Sequence, residues 1–91
     1  MAYSLNYTNQ FKKSLKRCQK RGFDINELSK VLSILSEKGE LPENYKPHIP
    51  HGKYEGIWEC HIKPDWLLLR EQSEKELTLI LLDTGTHSDI F

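Results

Sequence analysis

Residues 57–82 read IWECHIKPDWLLLREQSEKELTLILL, and this stretch decides the fold. Ile57 to Ile62 alternates with the two-residue period of a strand that has one covered face. Lys63-Pro64 then makes a turn, because proline fixes φ and removes a backbone donor. Trp66 to Arg70 is an apolar strand, Gln72 to Lys75 a polar turn, and Leu77 to Leu82 the last long strand. Three strands in succession with short connections predict an antiparallel meander.

Working upstream, Tyr3, Leu5 and Tyr7 alternate with Ser4 and Asn6, which predicts a short half-buried strand. Thr8 or Asn9 can cap a helix over residues 9–21, in which Phe11, Leu15 and Cys18 share one face and Gly22 supplies the stop. Asp24 is a second cap with Glu27 in capping-box position, and Ile25, Leu28, Val31, Leu32 and Leu35 draw an apolar stripe through a helix over 25–38 that ends at Gly39. Residues 40–56 hold Pro42, Pro47, Pro50, Gly52 and Gly56, so neither a helix nor a central strand continues through them. The expected fold is α+β in the order β-α-α-β-β-β. Two N-terminal helices pack on one face of a small, largely antiparallel sheet, and residues 1–91 form a single domain.

No run of about 18 apolar residues is present to cross a bilayer, and the N-terminus carries no basic-then-apolar secretion signal, so the expected location is the cytoplasm without membrane contact. Cys18 and Cys60 lack the paired spacing of a zinc or redox motif and read as reduced core residues. The net charge is zero but split: residues 1–30 hold seven Lys or Arg against two acids, and residues 31–91 hold six against eleven. The first helix carries Lys12, Lys16 and Lys20 in one i, i+4 row and Lys13, Arg17 and Arg21 in the next. That stripe is either a solvated face or a docking surface for ribosomal RNA, whose affinity would weaken steeply with salt.

All four histidines fall after residue 47. Cleaving RNA without a metal needs a base for the 2′-hydroxyl proton, an acid for the 5′-oxygen, and donors for the phosphorane, and imidazole suits the first two tasks near neutral pH. His48, His61, Asp65 and His87 fit them. Each also has an ordinary reading: the histidines as solvated or hydrogen-bonded surface residues, Asp65 as a turn residue, Trp66 as core.

With Tyr45-Lys46 and His48, the runs Glu59-Cys60-His61-Ile62-Lys63-Pro64-Asp65-Trp66-Leu67-Leu68 and Thr84-Gly85-Thr86-His87-Ser88-Asp89-Ile90-Phe91 resemble the YafQ branch of the RelE/ParE toxin superfamily across essentially the whole chain. The resemblance implies a type II toxin that cleaves messenger RNA on translating ribosomes and is silenced by a cognate antitoxin. By position it implies catalytic roles for His48, His61, Asp65 and His87, with His87 as general acid, Asp65 with His61 on the base side, and His48 orienting the phosphate. Trp66 and Phe91 match aromatics placed at that site, and Lys46 and Lys63 are further substrate contacts.

Two departures stand out. The family often has arginine just before the Thr-Gly-Thr-His run and just before the Glu-Cys-His run, where this chain has Asp83 and Trp58. Arg70 on the neighbouring strand is the expected substitute guanidinium. No cofactor or metal is expected. The alternative ligand set of His48, His51, Cys60 and His61 is the weaker reading. A competing function is a toxin-fold protein that has lost cleavage and survives as an antitoxin-binding regulator; gyrase poisoning, known from other branches, goes with sites that lack such a histidine cluster. The antitoxin is expected to wrap the toxin with an acidic or amphipathic segment over the basic helix or the active-site groove.

Overall fold

The computed structural model describes residues 2–49 and 57–91. Strand β1 (Ser4–Tyr7) leads into helices α1 (Asn9–Lys20) and α2 (Ile25–Lys38), and a short 3-10 turn follows at Glu43–Tyr45. Strands β2 (Ile57–Lys63), β3 (Trp66–Ser73) and β4 (Thr78–Gly85) come next, and the chain ends in a single helical turn, α3 (His87–Ile90). The sheet order is β1-β4-β3-β2, with β1 parallel to β4 and the other pairs antiparallel. The fold is the expected α+β arrangement, with one element added at its end.

The helix boundaries follow their caps. Thr8 accepts from the Phe11 N–H at 3.0 Å, and Asp24 accepts from the Asn26 N–H at 3.0 Å. Glu27 sits in capping-box position but is drawn to Lys30 and Lys63 instead, at 3.7 and 3.9 Å. Helix α2 closes at Gly39, whose φ of +72° suits glycine; the Tyr3 ring lies where a Cβ would go.

Phe11 and Cys18 from α1 and Leu28, Val31 and Leu35 from α2 pack onto Cys60, Ile62, Trp66, Leu68, Leu79 and Leu81 of the sheet. Truncating one such leucine to alanine costs about 2–5 kcal/mol. Ser14 is fully buried in α1, while Leu15 packs against the core partly buried. Leu67 and Leu69, one residue out of phase, are buried outside this cluster, so β3 is covered on both faces.

Two strands run longer than their apolar content predicts. Polar Glu71, Gln72 and Ser73 stay in β3 because their backbones pair with Ile80, Leu79 and Thr78. Leu77 turns the chain with φ +50°. Strand β4 continues through Asp83-Thr84-Gly85 past a register shift: Leu69 pairs with Asp83 but Arg70 with Leu81, leaving Leu82 as the extra residue. This extension carries the C-terminal turn to the end of the sheet where β2 meets β3.

Candidate active site

Strand alternation sorts the residues of β2. Trp58, Cys60 and Ile62 fall on the helix side, and Glu59 and His61 on the other. Past Lys63-Pro64, Asp65 is exposed at the tip of the β2–β3 turn. At the far end of β4, Thr86 caps α3 and so places His87 on its first residue. His87 and Asp65 meet there: Asp65 Oδ1 accepts from the His87 backbone N–H at 3.0 Å and lies 2.6 Å from ring Nδ1. These two bonds from His87 hold the Asp65 carboxyl below the usual carboxylate range.

His61 turns Nδ1 to the Pro64 carbonyl at 3.3 Å, and its ring lies edge-on to His87 with centroids 5.6 Å apart. A carbonyl or carboxylate only accepts, so Nδ1 carries the proton in both rings and each neutral imidazole keeps its lone pair on Nε2. His48 completes the row, 6.1 Å from His61. Its Nδ1–H donates to the Lys46 carbonyl at 2.9 Å, and its Nε2 lies 2.8 Å from Glu59 Oε2. The two residues also exchange backbone bonds of 2.9 and 2.8 Å, a bridge that lays the loop along the outer edge of β2.

Thus the fold brings His48, His61, Asp65 and His87 together, and adds Glu59, which is only 5% exposed. Sequence reading passed over Glu59, although its signal was present: two residues before His61 on a strand, it must share that side chain's face. Lys46 and Lys63 line a cavity of about 220 Å³ with His61, Asn44 and Pro64, while Lys63 also reaches toward Glu27. Phe91 follows α3, 57% exposed, with its N–H bonded to the His87 carbonyl.

Two expectations need correction, and one alternative reading does not fit. Arg70 does not reach the histidines: in step with Trp66 and Leu68 it falls on the helix side, 2% exposed, its guanidinium over the Trp58 ring at 5.3 Å and its Nε–H donating to Gln72 at 3.0 Å. Trp66 is a core residue, 3% exposed, edge-on to Phe23 and donating from Nε1 to Thr84 Oγ1 at 2.9 Å. Cys60 cannot join His48 and His61 around a metal, because it lies on the opposite face and burial pushes its thiol up to about 12. His51 lies outside the described residues, among which no group of three or more His, Cys, Asp or Glu is arranged to hold a metal ion.

The basic stripe divides as well. Lys12, Lys13, Lys16 and Lys20 are exposed, but Arg21 grips Asp89 of α3 through both terminal nitrogens at 2.7 and 3.2 Å, with Arg17 at 3.9 Å. Asp83 does not add its charge to the histidine row. Its Oδ1 accepts from Ser14 of α1 at 2.5 Å and from the Thr84 N–H at 2.8 Å.

Comparison with known proteins identifies the family and the fold. Residues 3–91 match the family described as bacterial toxin of type II toxin-antitoxin system, YafQ. The mRNA interferase toxin YafQ of Escherichia coli (strain K12) is 34% identical over 88 residues, covering 96% of this chain and 94% of that protein. The toxin in a crystal structure of the E. coli DinJ-YafQ toxin-antitoxin complex superposes with a TM-score of 0.89 at 33% identity, over 100% of this chain and 99% of that one. A metal-bound toxin from Helicobacter pylori gives 0.88 at 37% identity, over the whole of both chains. With a match that spans nearly every residue, the two-helix and four-strand architecture, and the histidine row in place, this chain belongs to the YafQ family of bacterial type II toxins.

Proposed function

We propose that this toxin is an mRNA interferase, a metal-independent endoribonuclease that cuts messenger RNA on the translating ribosome and is silenced by a cognate antitoxin. The observation that carries the reading is the pair of neighbouring rings, His61 and His87, whose Nδ1 atoms are tied down while neither Nε2 has a partner among the described residues, with centroids 5.6 Å apart. One phosphodiester can lie against both. His61 Nε2 takes the 2′-hydroxyl proton, the 2′-oxygen attacks phosphorus, and protonated His87 gives its Nε2 proton to the departing 5′-oxygen. The products are a 2′,3′-cyclic phosphate and a 5′-hydroxyl.

Asp65 then orients His87 rather than acting as base, since a carboxylate held below its usual range is a weak proton acceptor. His48, with both ring nitrogens engaged by the Lys46 carbonyl and Glu59, fixes the wall beside the phosphate, and Lys46 and Lys63 supply mobile charge at the rim. Phe91, more than half exposed at the end of α3, is the aromatic contact for a base, stacking being worth about 1–3 kcal/mol. Lys12, Lys13, Lys16 and Lys20 remain as the ribosomal RNA contacts of α1.

The test is cleavage mapped by primer extension in a translating extract. Wild type with chelator present should cut, and His87→Ala should lower the rate about 10²–10⁴-fold. Equal cutting by the two proteins, or none once metal is removed, would overturn the chemistry. A second reading draws on Asp83 and Trp58 in place of arginine and on Arg70, which is buried on the helix side away from the histidines. On that reading the chain binds antitoxin without cleaving, so wild-type expression is harmless to growth.

A further inference from the structure

A helical turn of four residues has no stability of its own, because nucleation fixes several dihedrals for a single hydrogen bond. Yet α3 carries His87, the residue whose position the proposed chemistry depends on most. Its internal ties are modest: Asp89 N–H to Thr86 Oγ1 at 3.2 Å, Thr86 N–H back to Asp89 Oδ2 at 2.9 Å, and Phe91 N–H to the His87 carbonyl at 2.8 Å. Something outside the turn must fix it to the body of the protein.

Two external holds are present. At one end Asp65 accepts both His87 protons. At the other, the Asp89 carboxylate receives Arg21 Nη1 on Oδ2 at 2.7 Å and Nη2 on Oδ1 at 3.2 Å, with Arg17 Nη2 3.9 Å away. The Asp89 side chain is 12% exposed, so this fork is shielded on the acid's side. The carboxylate also fits closely on Gly85: a Cβ there would lie 2.8 Å from Asp89 Oδ2 and 3.3 Å from Arg17 Nη2, at a φ of +153°. Arg21 is thereby linked, across 68 residues of sequence, to the turn that aims His87.

We propose that the Arg21–Asp89 fork, seated on Gly85, holds α3 so that His87 meets Asp65 with its Nε2 directed at the substrate, which makes Arg21 and Asp89 positioning residues of the nuclease site. The inference rests on His87 being the proton donor of the proposed reaction. It also assigns Arg21 a task other than RNA contact, in contrast to the lysines beside it on α1. Bidentate geometry is the reason lysine cannot fully replace it.

The test separates positioning from RNA binding and from the function itself. Nitrogen-15 NMR of the His87 ring in the isolated toxin reads its tautomer and the Nδ1–H bonded to Asp65, with no RNA present. Arg21→Ala and Asp89→Asn should each replace the single Nδ1–H form by a mixture, and Arg21→Lys should restore it in part. Cleavage by the same variants should fall about ten- to a hundredfold at saturating ribosomes, with the half-saturating concentration unchanged. If the His87 resonances of Arg21→Ala match wild type while the half-saturating concentration and salt dependence change, Arg21 is an RNA contact and the inference is wrong. Full cleavage by His87→Ala would instead remove the catalytic reading, and the ring spectra would still decide whether the fork positions His87.

Discussion

Two histidine–carboxylate pairs stand at opposite ends of the same row of rings, and they are built for different tasks. His48 and Glu59 are joined by backbone as well as by side chain, and the Glu59 side chain is 7% exposed. His87 and Asp65 are joined by side chain and a single amide, on a turn where the Asp65 side chain is 66% exposed. The first pair sits at the sheet edge and cannot come apart without breaking the two-bond bridge between His48 and Glu59. The second meets only because a turn and a one-turn helix are held in register from outside. A pair whose carboxylate is buried and whose backbones are bridged stabilises architecture; one whose carboxylate is exposed is free to exchange protons with a substrate and is easily misaligned.

The strongest way to break this contrast is at Asp65. Asp65→Asn keeps the size but can present an N–H to Nδ1, which favours the wrong tautomer at His87. Cleavage in the translating extract should drop about ten- to a hundredfold, with the thermal midpoint nearly unchanged. A variant that cuts at the wild-type rate would show that the Asp65–His87 bond is ornamental. Glu59 should behave the other way round. Glu59→Ala removes a shielded carboxylate that His48 faces, and urea unfolding should register a loss of about 1 kcal/mol, limited because water reaches the half-exposed His48. Unchanged stability with abolished cleavage would move Glu59 from architecture to chemistry.

This contrast also marks what the sequence makes legible. The β2–turn–β3 unit could be read from alternation and from Lys63-Pro64, and with it the position of His61 and Asp65. Both helices could be read from their caps and stripes, with α2 at its observed bounds. The error at Arg70 was one of phase: stepping by two from Trp66 through Leu68 puts Arg70 with the core, and its interest as a stand-in cation obscured that count. The end of β4 and the α3 turn were hidden because Asp83-Thr84-Gly85-Thr86 is polar, and only pairing to Leu67 through Leu69 makes the first three a strand. The contacts Asp65–His87 and Arg21–Asp89 span 22 and 68 residues and belong to tertiary structure, which no local period encodes.

The smallest expected effect is a dependence on pH that distinguishes the two holds on α3. Asp65 is held below the usual carboxylate range by the His87 N–H and ring, and Asp89 by Arg21 and the Thr86 N–H. A carboxyl whose folded-state pKa is depressed binds its proton more readily in the unfolded chain. Each therefore adds stability that is fully present above the unfolded value near 4 and is lost as pH falls through the lower folded value. Urea unfolding of wild type, Asp65→Asn and Asp89→Asn at pH 7 and at steps below 4 should show wild type ahead at pH 7 and the gaps narrowing with acid. The Asp89 gap should be the larger and should persist to lower pH, because that carboxylate is shielded and doubly bonded whereas Asp65 is screened by solvent. Gaps that widened with acid would reverse the sign of both holds, and equal gaps would mean that the exposed turn is fastened as firmly as the fork on Arg21.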